Sequence, residues 1–297
     1  MKRNVIHTGD AFDVLNSLPE SSVHMAMTSP PFFALRDYGV KGQLGQEESP
    51  DEYVRKIADV VDKIARVLKD DGSLWLNIGD SYASKPAGNA DESSDSLKGN
   101  YQENSKSGTF DKSKHAPEKS KLLIPQKVAI ELQERKYTIR NDIVWYKPDK
   151  GIPESVTDRH TRAYEMLLHI PMSNDYNFDL NRIREPNGSI PPDVWTIKSN
   201  SDSTVKTNFA RYPPKLCETP IKATCPDDGI VLDPFAGSGT TLAKAKEMGR
   251  DFIGVELNPE YADMARANVG LSPNNPSNLR SHDDQSGLDA YADGGDP

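Results

Sequence analysis

Residues 229–269 read as strand, helix, strand, helix, and this alternation restricts the fold more than any other feature of the chain. "GIVLDPF" and "DFIGVEL" are short apolar runs, whereas "TTLAKAKEMG" and "PEYADMARANV" carry helical spacing. A helix between two strands is the crossover that parallel strands require, so the pattern implies a parallel sheet covered on both faces. The same alternation opens the chain. "NVIH" (4–7) reads as a strand, "DAFDVLNSLP" (10–19) as a helix and "SVHMAMT" (22–28) as a strand. "SPDEYVRKIADVVDKIARVLKDDG" (49–72) is the clearest helix, with Ser49 as N-cap, Pro50 in the first turn and Glu52 as the capping acid. Val54, Ile57, Ala58, Val61, Ile64, Ala65 and Leu68 form its apolar stripe, and Gly72 is expected to end it. "SLWLNIG" (73–79) is then a strand, a helix is expected near 124–136, and "YTIRNDIVWYK" (137–147) and "AYEMLLHIP" (163–171) are strands.

Three stretches stand outside this pattern. Residues 81–120 are rich in Ser, Gly, Asn and Lys and read as a long polar insertion. Residues 172–207 are irregular. The tail, 271–297, has five Asp and one Arg and is expected to be disordered, which leaves residues 1–270 as a single domain. The formal net charge of −9 argues weakly against nucleic acid as a partner. Its distribution qualifies that: residues 106–150 carry 11 Lys/Arg against 6 Asp/Glu, and residues 180–215 carry 6 against 3. A basic face and a scattered solvated surface both fit these counts. No apolar run approaches the roughly 20 residues of a membrane span, and "MKRNVIHTGD" has no signal-peptide core. A cytoplasmic protein with no membrane partner is therefore expected. Cys217 and Cys225 make neither a disulfide framework nor a zinc site, and no metal is expected.

Two motifs fall at strand C-termini, where open α/β sheets bind ligands. "LDPFAGSGTT" (232–241) ends a buried strand and opens a helix. Gly237 and Gly239 permit a tight turn and close approach of backbone to a ligand, and Thr240 or Thr241 can cap the helix. No Lys follows as a P-loop requires. Glu256, in "GVELNPEY" (254–261), lies roughly 20 residues on, where a nucleoside-binding unit places an acid for ribose hydroxyls. Asn258-Pro259 then starts the next helix. The second motif is Thr28-Ser29-Pro30-Pro31-Phe32-Phe33. Pro-Pro fixes φ and lacks N–H donors, so it stops the strand on a rigid corner.

"TSPPF" at one strand end, with "DPFAGSGTT" and "GVELNPEY" near the C-terminus, resembles the S-adenosylmethionine-dependent DNA amino-methyltransferases. These modify the exocyclic amine of cytosine (N4) or adenine (N6). The resemblance covers roughly residues 3–80 and 121–268, with the catalytic motif before the cofactor motif, as in the family's beta class. It implies a Rossmann-like methyltransferase fold: a mostly parallel seven-stranded sheet with one antiparallel strand, helices on both faces and a circularly permuted motif order. It implies S-adenosylmethionine as cofactor, held by Asp10, Thr28, Asp233, Phe235, Gly237, Gly239, Thr240, Thr241, Glu256 and Asn258. Asp10 would lie near the adenine or simply cap its helix, and Phe235 would pack by the methionine end. The catalytic set is Ser29, Pro30, Pro31 and Phe32. Ser29 Oγ and the Pro30 carbonyl would accept the amine's protons, localising a lone pair that the ring otherwise delocalises. Phe32 would stack on a flipped-out base, with Phe33 second.

Within the family Ser before Pro-Pro mostly accompanies N4-cytosine, whereas Asp or Asn accompanies N6-adenine, so Ser29 favours cytosine. N6-adenine methylation is the alternative, followed by RNA or protein amide methylation, which usually has the opposite motif order and Asn-Pro-Pro. A cytosine C5 reading fails, because Cys225 in "TCPDD" is in the wrong context for a ring nucleophile. The implied partners are double-stranded DNA and, in a restriction–modification setting, a cognate endonuclease; the enzyme would be a monomer or homodimer. "FARYPPKLCETPIKA" (209–223) resembles the segment that closes over the methionine moiety, with Asn208 before Phe209 where the family often has His. Arg159, His160 and Arg162 are candidate phosphate contacts. Residues 81–120, with Lys106, Lys112, Lys114 and Lys119, are the first candidate for target recognition. Residues 172–207, with Arg182, Arg184 and Lys198, are the second.

Overall fold

The computed structural model describes residues 1–84, 111–149, 157–199 and 211–275. Most of the 81–120 insertion including Lys106, residues 208 and 209, and the tail after 275 lie outside the described residues. The elements run β1 (Val5–Thr8), α1 (Ala11–Ser17), β2 (Val23–Thr28), α2 (Pro50–Val67), β3 (Leu68–Ile78), α3 (Ile124–Glu134), β4 (Asn141–Tyr146), β5 (Tyr164–Pro171), β6 (Val194–Thr196), α4 (Pro214–Thr224), β7 (Ile230–Asp233), α5 (Thr240–Glu247), β8 (Asp251–Glu256) and α6 (Pro259–Asn268).

These strands form one sheet in the order β1-β8-β7-β2-β3-β5-β4-β6. β5 pairs antiparallel with both β3 and β4, and every other pairing is parallel. The sheet has eight strands, one more than expected. The extra strand, β6, runs parallel to β4 inside the stretch read as irregular. At three residues it is too short for a periodic signal, and Trp195 anchors it 6.2 Å from the Trp75 ring.

Side chains of the central strands alternate between two cores. Val23 and Ala26 of β2 and Leu232 of β7 face α1, α2 and α3, while Met25, Met27 and Val231 face α4, α5 and α6. Strands buried on both faces explain the unbroken apolar runs in the sequence.

The helix expected over 49–72 ends at Val67. Ser49 does cap it, accepting from the Glu52 N–H at 3.1 Å. Leu68, counted in its apolar stripe, turns to ψ 147° and pairs with Val23 instead. A bulge separates that pair from Met25–Ser73. Gly72 sits in it where a Cβ would meet the His24 and Lys69 carbonyl oxygens at 2.9 Å, so it serves close backbone packing rather than helix termination.

Candidate active site

The parallel strands β1, β2, β3, β7 and β8 end on one edge of the sheet, and antiparallel β5 begins there. Thr28 and Asp233 finish adjacent strands at the centre of that edge. Both are buried, and Thr28 Oγ1 donates to Asp233 Oδ1 at 2.7 Å. The Phe235 N–H donates to the same oxygen at 3.1 Å, and the Tyr212 hydroxyl donates to Oδ2 at 3.2 Å. Tyr212 also hydrogen-bonds Thr241. Burial raises the Asp233 carboxyl above its usual range, opposed by these donors. Asp233 and Thr241 therefore brace the two motifs from inside.

The glycine turn is built as its composition demands. Gly237 has φ 53° and Gly239 φ 82°, the left-handed region that glycine enters without strain. A Cβ on Gly239 would stand 3.1 Å from Ala265 of α6, whereas one on Gly237 would meet nothing within 4 Å. Gly239, not a threonine, is the N-cap of α5; Thr240 and Thr241 are its first helical residues. Glu256 lies beside the turn, accepting from the Gly237 N–H at 2.8 Å and the Asn258 N–H at 2.9 Å. Burial raises its pKa, opposed by those N–H donors. Asn258 caps α6 through the Glu260 N–H, and Asp10 caps α1 through the Phe12 N–H at 2.8 Å. Tyr38, from the loop after the proline motif, meets Tyr261 edge-on at 6.3 Å, which brings that loop over the Glu256 side. Open space at Gly237, a carboxylate next to it and a part-exposed Phe235 fit a nucleoside with an attached amino-acid chain.

On the catalytic side, Ser29 is part-exposed just beyond β2. The Tyr53 hydroxyl donates to the Pro31 carbonyl at 2.9 Å and pins the corner from α2. Phe32 is part-exposed, and its ring lies on Gly79, where a Cβ would come within 2.5 Å of Cε2. Phe33, considered as a second base platform, is 1% exposed and packs on Tyr53 at 5.6 Å. It is a core residue, because the chain turns after Phe32 and directs it under α2. Three side chains not anticipated from the sequence stand behind Ser29. Asn77, at the end of β3, donates through Nδ2 to Ser29 Oγ at 3.3 Å and to Glu165 Oε2 at 2.9 Å. Lys147 pairs with the other Glu165 oxygen and lies 4.3 Å from the Trp145 ring centroid.

The basic candidates divide. Lys112 is 5% exposed and donates to Ser81 Oγ, Lys119 pairs with Asp158, and Arg182 pairs with Asp179 and Asp227. Arg159 stacks 3.9 Å over Tyr82, and Arg162 donates to the Asp80 carbonyl, both next to the catalytic edge. Lys114 and His160 are exposed. Cys217, on α4, and Cys225, its C-cap, are buried free thiols; Cys225 is pushed up to about 12 by burial and leads into the opposite end of β7. Among the described residues no cluster of His, Cys, Asp or Glu suits a metal ion, and no helix is long and apolar enough to cross a membrane.

Residues 23–267, most of the chain, match the N6/N4 family described as DNA methylase. The chain belongs to the DNA methylase family. Two type II methyltransferases are similar to this DNA methylase along most of their length. M.Cfr9I of Citrobacter freundii is 38% identical over 86% of this chain and 84% of its own. M.SmaI of Serratia marcescens is 35% identical over 89% and 90%. Among solved structures, the PvuII DNA methyltransferase (cytosine-N4-specific) superposes on the DNA methylase with a TM-score of 0.68 at 26% identity, covering 94% of this chain and 90% of that one. A putative DNA modification methylase from Thermus thermophilus, complexed with S-adenosyl-L-methionine, gives 0.57 at 25% identity over 89% and 95%.

Proposed function

We propose that this DNA methyltransferase methylates the N4 amine of a cytosine flipped out of duplex DNA, as the modification enzyme of a type II restriction–modification system or as an orphan. The observation that carries the reading is Ser29-Pro30 standing next to the glycine turn, held there by the Thr28–Asp233 bond of 2.7 Å. Bound S-adenosylmethionine supplies an electrophilic methyl group. In this reading the cofactor lies over Gly237 and Gly239, with Glu256 accepting from ribose hydroxyls and Phe235 against the methionine end. Asp10 is placed at the adenine side.

The protein's own part is to make a poor nucleophile reactive. Tyr53 holds the Pro31 carbonyl in place, and the Pro30 carbonyl is the first acceptor in this reading. Ser29 Oγ is the second acceptor. Two fixed acceptors hold the amine's protons as nitrogen becomes tetrahedral, and their rigidity avoids reorganisation in the transition state. Phe32 stacks on the base, and the exposed Lys114 and His160, with Arg159 and Arg162, line its approach. The neutral hydroxyl of Ser29 and the resemblance to the PvuII enzyme favour cytosine over adenine.

Duplex DNA is incubated with methyl-labelled S-adenosylmethionine and digested to nucleosides. N4-methylcytosine is the expected product. N6-methyladenine alone would overturn the choice of base, and label only in RNA or protein would overturn the substrate class. Ser29→Ala is expected to bind cofactor normally and lose about 10²–10³-fold in kcat, the usual effect of removing one such partner.

A further inference from the structure

The group of side chains behind Ser29 is built from three strands and is more enclosed than a surface ion pair. Asn77 is 2% exposed, and the Lys147 and Glu165 side chains are 16% and 18% exposed. Lys147 follows β4, Glu165 is second in β5 and Asn77 next to last in β3, so the contacts are set by strand register. Glu165 lies across from Trp145, and Asn77 from Leu167.

The chemistry of the group has a direction. A carboxylate in an ion pair offers only acceptors. An amide facing it must present its NH2 end, because a carbonyl oxygen there would set acceptor against acceptor. Glu165 therefore decides which way the Asn77 amide points, and the same Nδ2 reaches Ser29 Oγ. Asn77 Oδ1 is left buried with no hydrogen-bond partner. Such an orphan costs roughly 1–3 kcal/mol, so the orientation is imposed by the neighbours rather than chosen by the amide. With Asn77 donating from behind, the hydroxyl of Ser29 keeps one lone pair and its own proton for the cleft. A base whose amine sits beside a ring-nitrogen acceptor offers the complementary pair, a donor next to an acceptor.

We propose that Glu165 and Lys147 are positioning residues for methyl transfer: through the Asn77 amide they fix Ser29 toward the edge of the target base. The proposal rests on the function given above, since it presumes that Ser29 receives the amine. Glu165 acts only through Asn77 in this scheme, so its removal is expected to slow turnover without loosening the cofactor.

The test uses the full chain, duplex DNA and labelled S-adenosylmethionine, with kcat, KM for DNA and cofactor Kd measured separately. Glu165→Gln keeps the shape but lets either amide atom face Asn77. It is expected to lower kcat at least tenfold with cofactor Kd within twofold of the original. Asn77→Asp sets two carboxylates against each other and is expected to be slower still. Adding Glu165→Gln to Asn77→Asp relieves that clash but restores no donor to Ser29, so kcat is expected to stay low. A kcat for Glu165→Gln within twofold of the unaltered enzyme overturns the proposal, as does a double variant as fast as the unaltered enzyme. If Asn77→Asp fails to fold, Glu165→Gln decides by itself. Failure of the unaltered enzyme to label any DNA would remove the function and this proposal together, whereas normal labelling with an indifferent Glu165 removes only the latter.

Discussion

Gly79 matters for what it lacks. Phe32 lies against it, and a methyl group there would stand 2.5 Å from the ring. Gly79→Ala must push the ring off the end of β3. We expect kcat to fall about tenfold, in line with the roughly 1–3 kcal/mol that base–aromatic stacking contributes. Cofactor affinity should not change. Phe32→Ala should behave alike, and the two changes together should cost little more than either, because they remove one contact. Glu256 sets a second expectation at this scale. Burial raises its pKa, so it takes up a proton at a higher pH than an exposed glutamate. In the proposed role, only the ionised carboxylate would accept from both ribose hydroxyls while keeping its backbone N–H bonds. Cofactor affinity, measured by calorimetry, is therefore expected to weaken with falling pH sooner than an exposed glutamate would allow. Glu256→Gln should bind weakly at every pH and show no such trend.

At the scale of elements, β5 carries a buried histidine that makes the sheet sensitive to acid. His169 is fully buried, stacked 4.1 Å from Trp75, and shares a hydrogen bond with Ser73 at 3.1 Å. Desolvation, with a smaller contribution from Arg140, lowers its pKa from 6.5 to about 3. The unfolded chain therefore binds this proton first, and stability is lost as pH falls from about 6.5 toward 3. The slope approaches roughly 1.4 kcal/mol per pH unit inside that window. Urea melts at several pH values should show it, and His169→Phe should flatten the acid limb. The elements also show what a sequence can and cannot reveal. The strand–helix alternation of 229–269 and the Ser49 cap are local, and they appear where expected. The end of α2 differs from expectation because Leu68 satisfies a helical stripe and a strand pairing equally, and only Val23 across the sheet decides between them. Asn77, Glu165 and Lys147 are invisible in the sequence for a similar reason. Asn77 and Glu165 are 88 positions apart, and nothing local marks either as belonging to a site.

The whole molecule is acidic, with a formal net charge of −9, yet it acts on a polyanion. Binding is therefore expected on the catalytic edge, where Arg159 stacks on Tyr82 and Arg162 donates to the Asp80 carbonyl. DNA affinity is expected to fall at least tenfold between 50 and 200 mM salt, as counterion release requires when several phosphates are neutralised. A salt-independent affinity would exclude that edge as the contact. The two glycine and proline motifs are legible because each is contiguous, and their joining across Thr28–Asp233 follows from the sheet order. The path of the DNA is not legible, because many of the cations picked out by composition are spent on partners within the protein: Lys112 on Ser81, Lys119 on Asp158 and Arg182 on Asp227.

The position of β1 has a further bearing, on time. β1 is an edge strand whose one neighbour is β8, with Val5 opposite Ile253. A ribosome adding about 5–20 residues per second leaves the first strand without its partner for roughly 12–50 s. β2 can zip onto β3 early, but its other edge stays open until β7 emerges. The nascent chain must carry one unpaired strand, β1, and one open edge of β2 through most of its synthesis. Its last hundred residues close the sheet from both sides of β7 and build the cofactor turn in the same event, so a chain cut short has neither a finished sheet nor a place for the methyl donor.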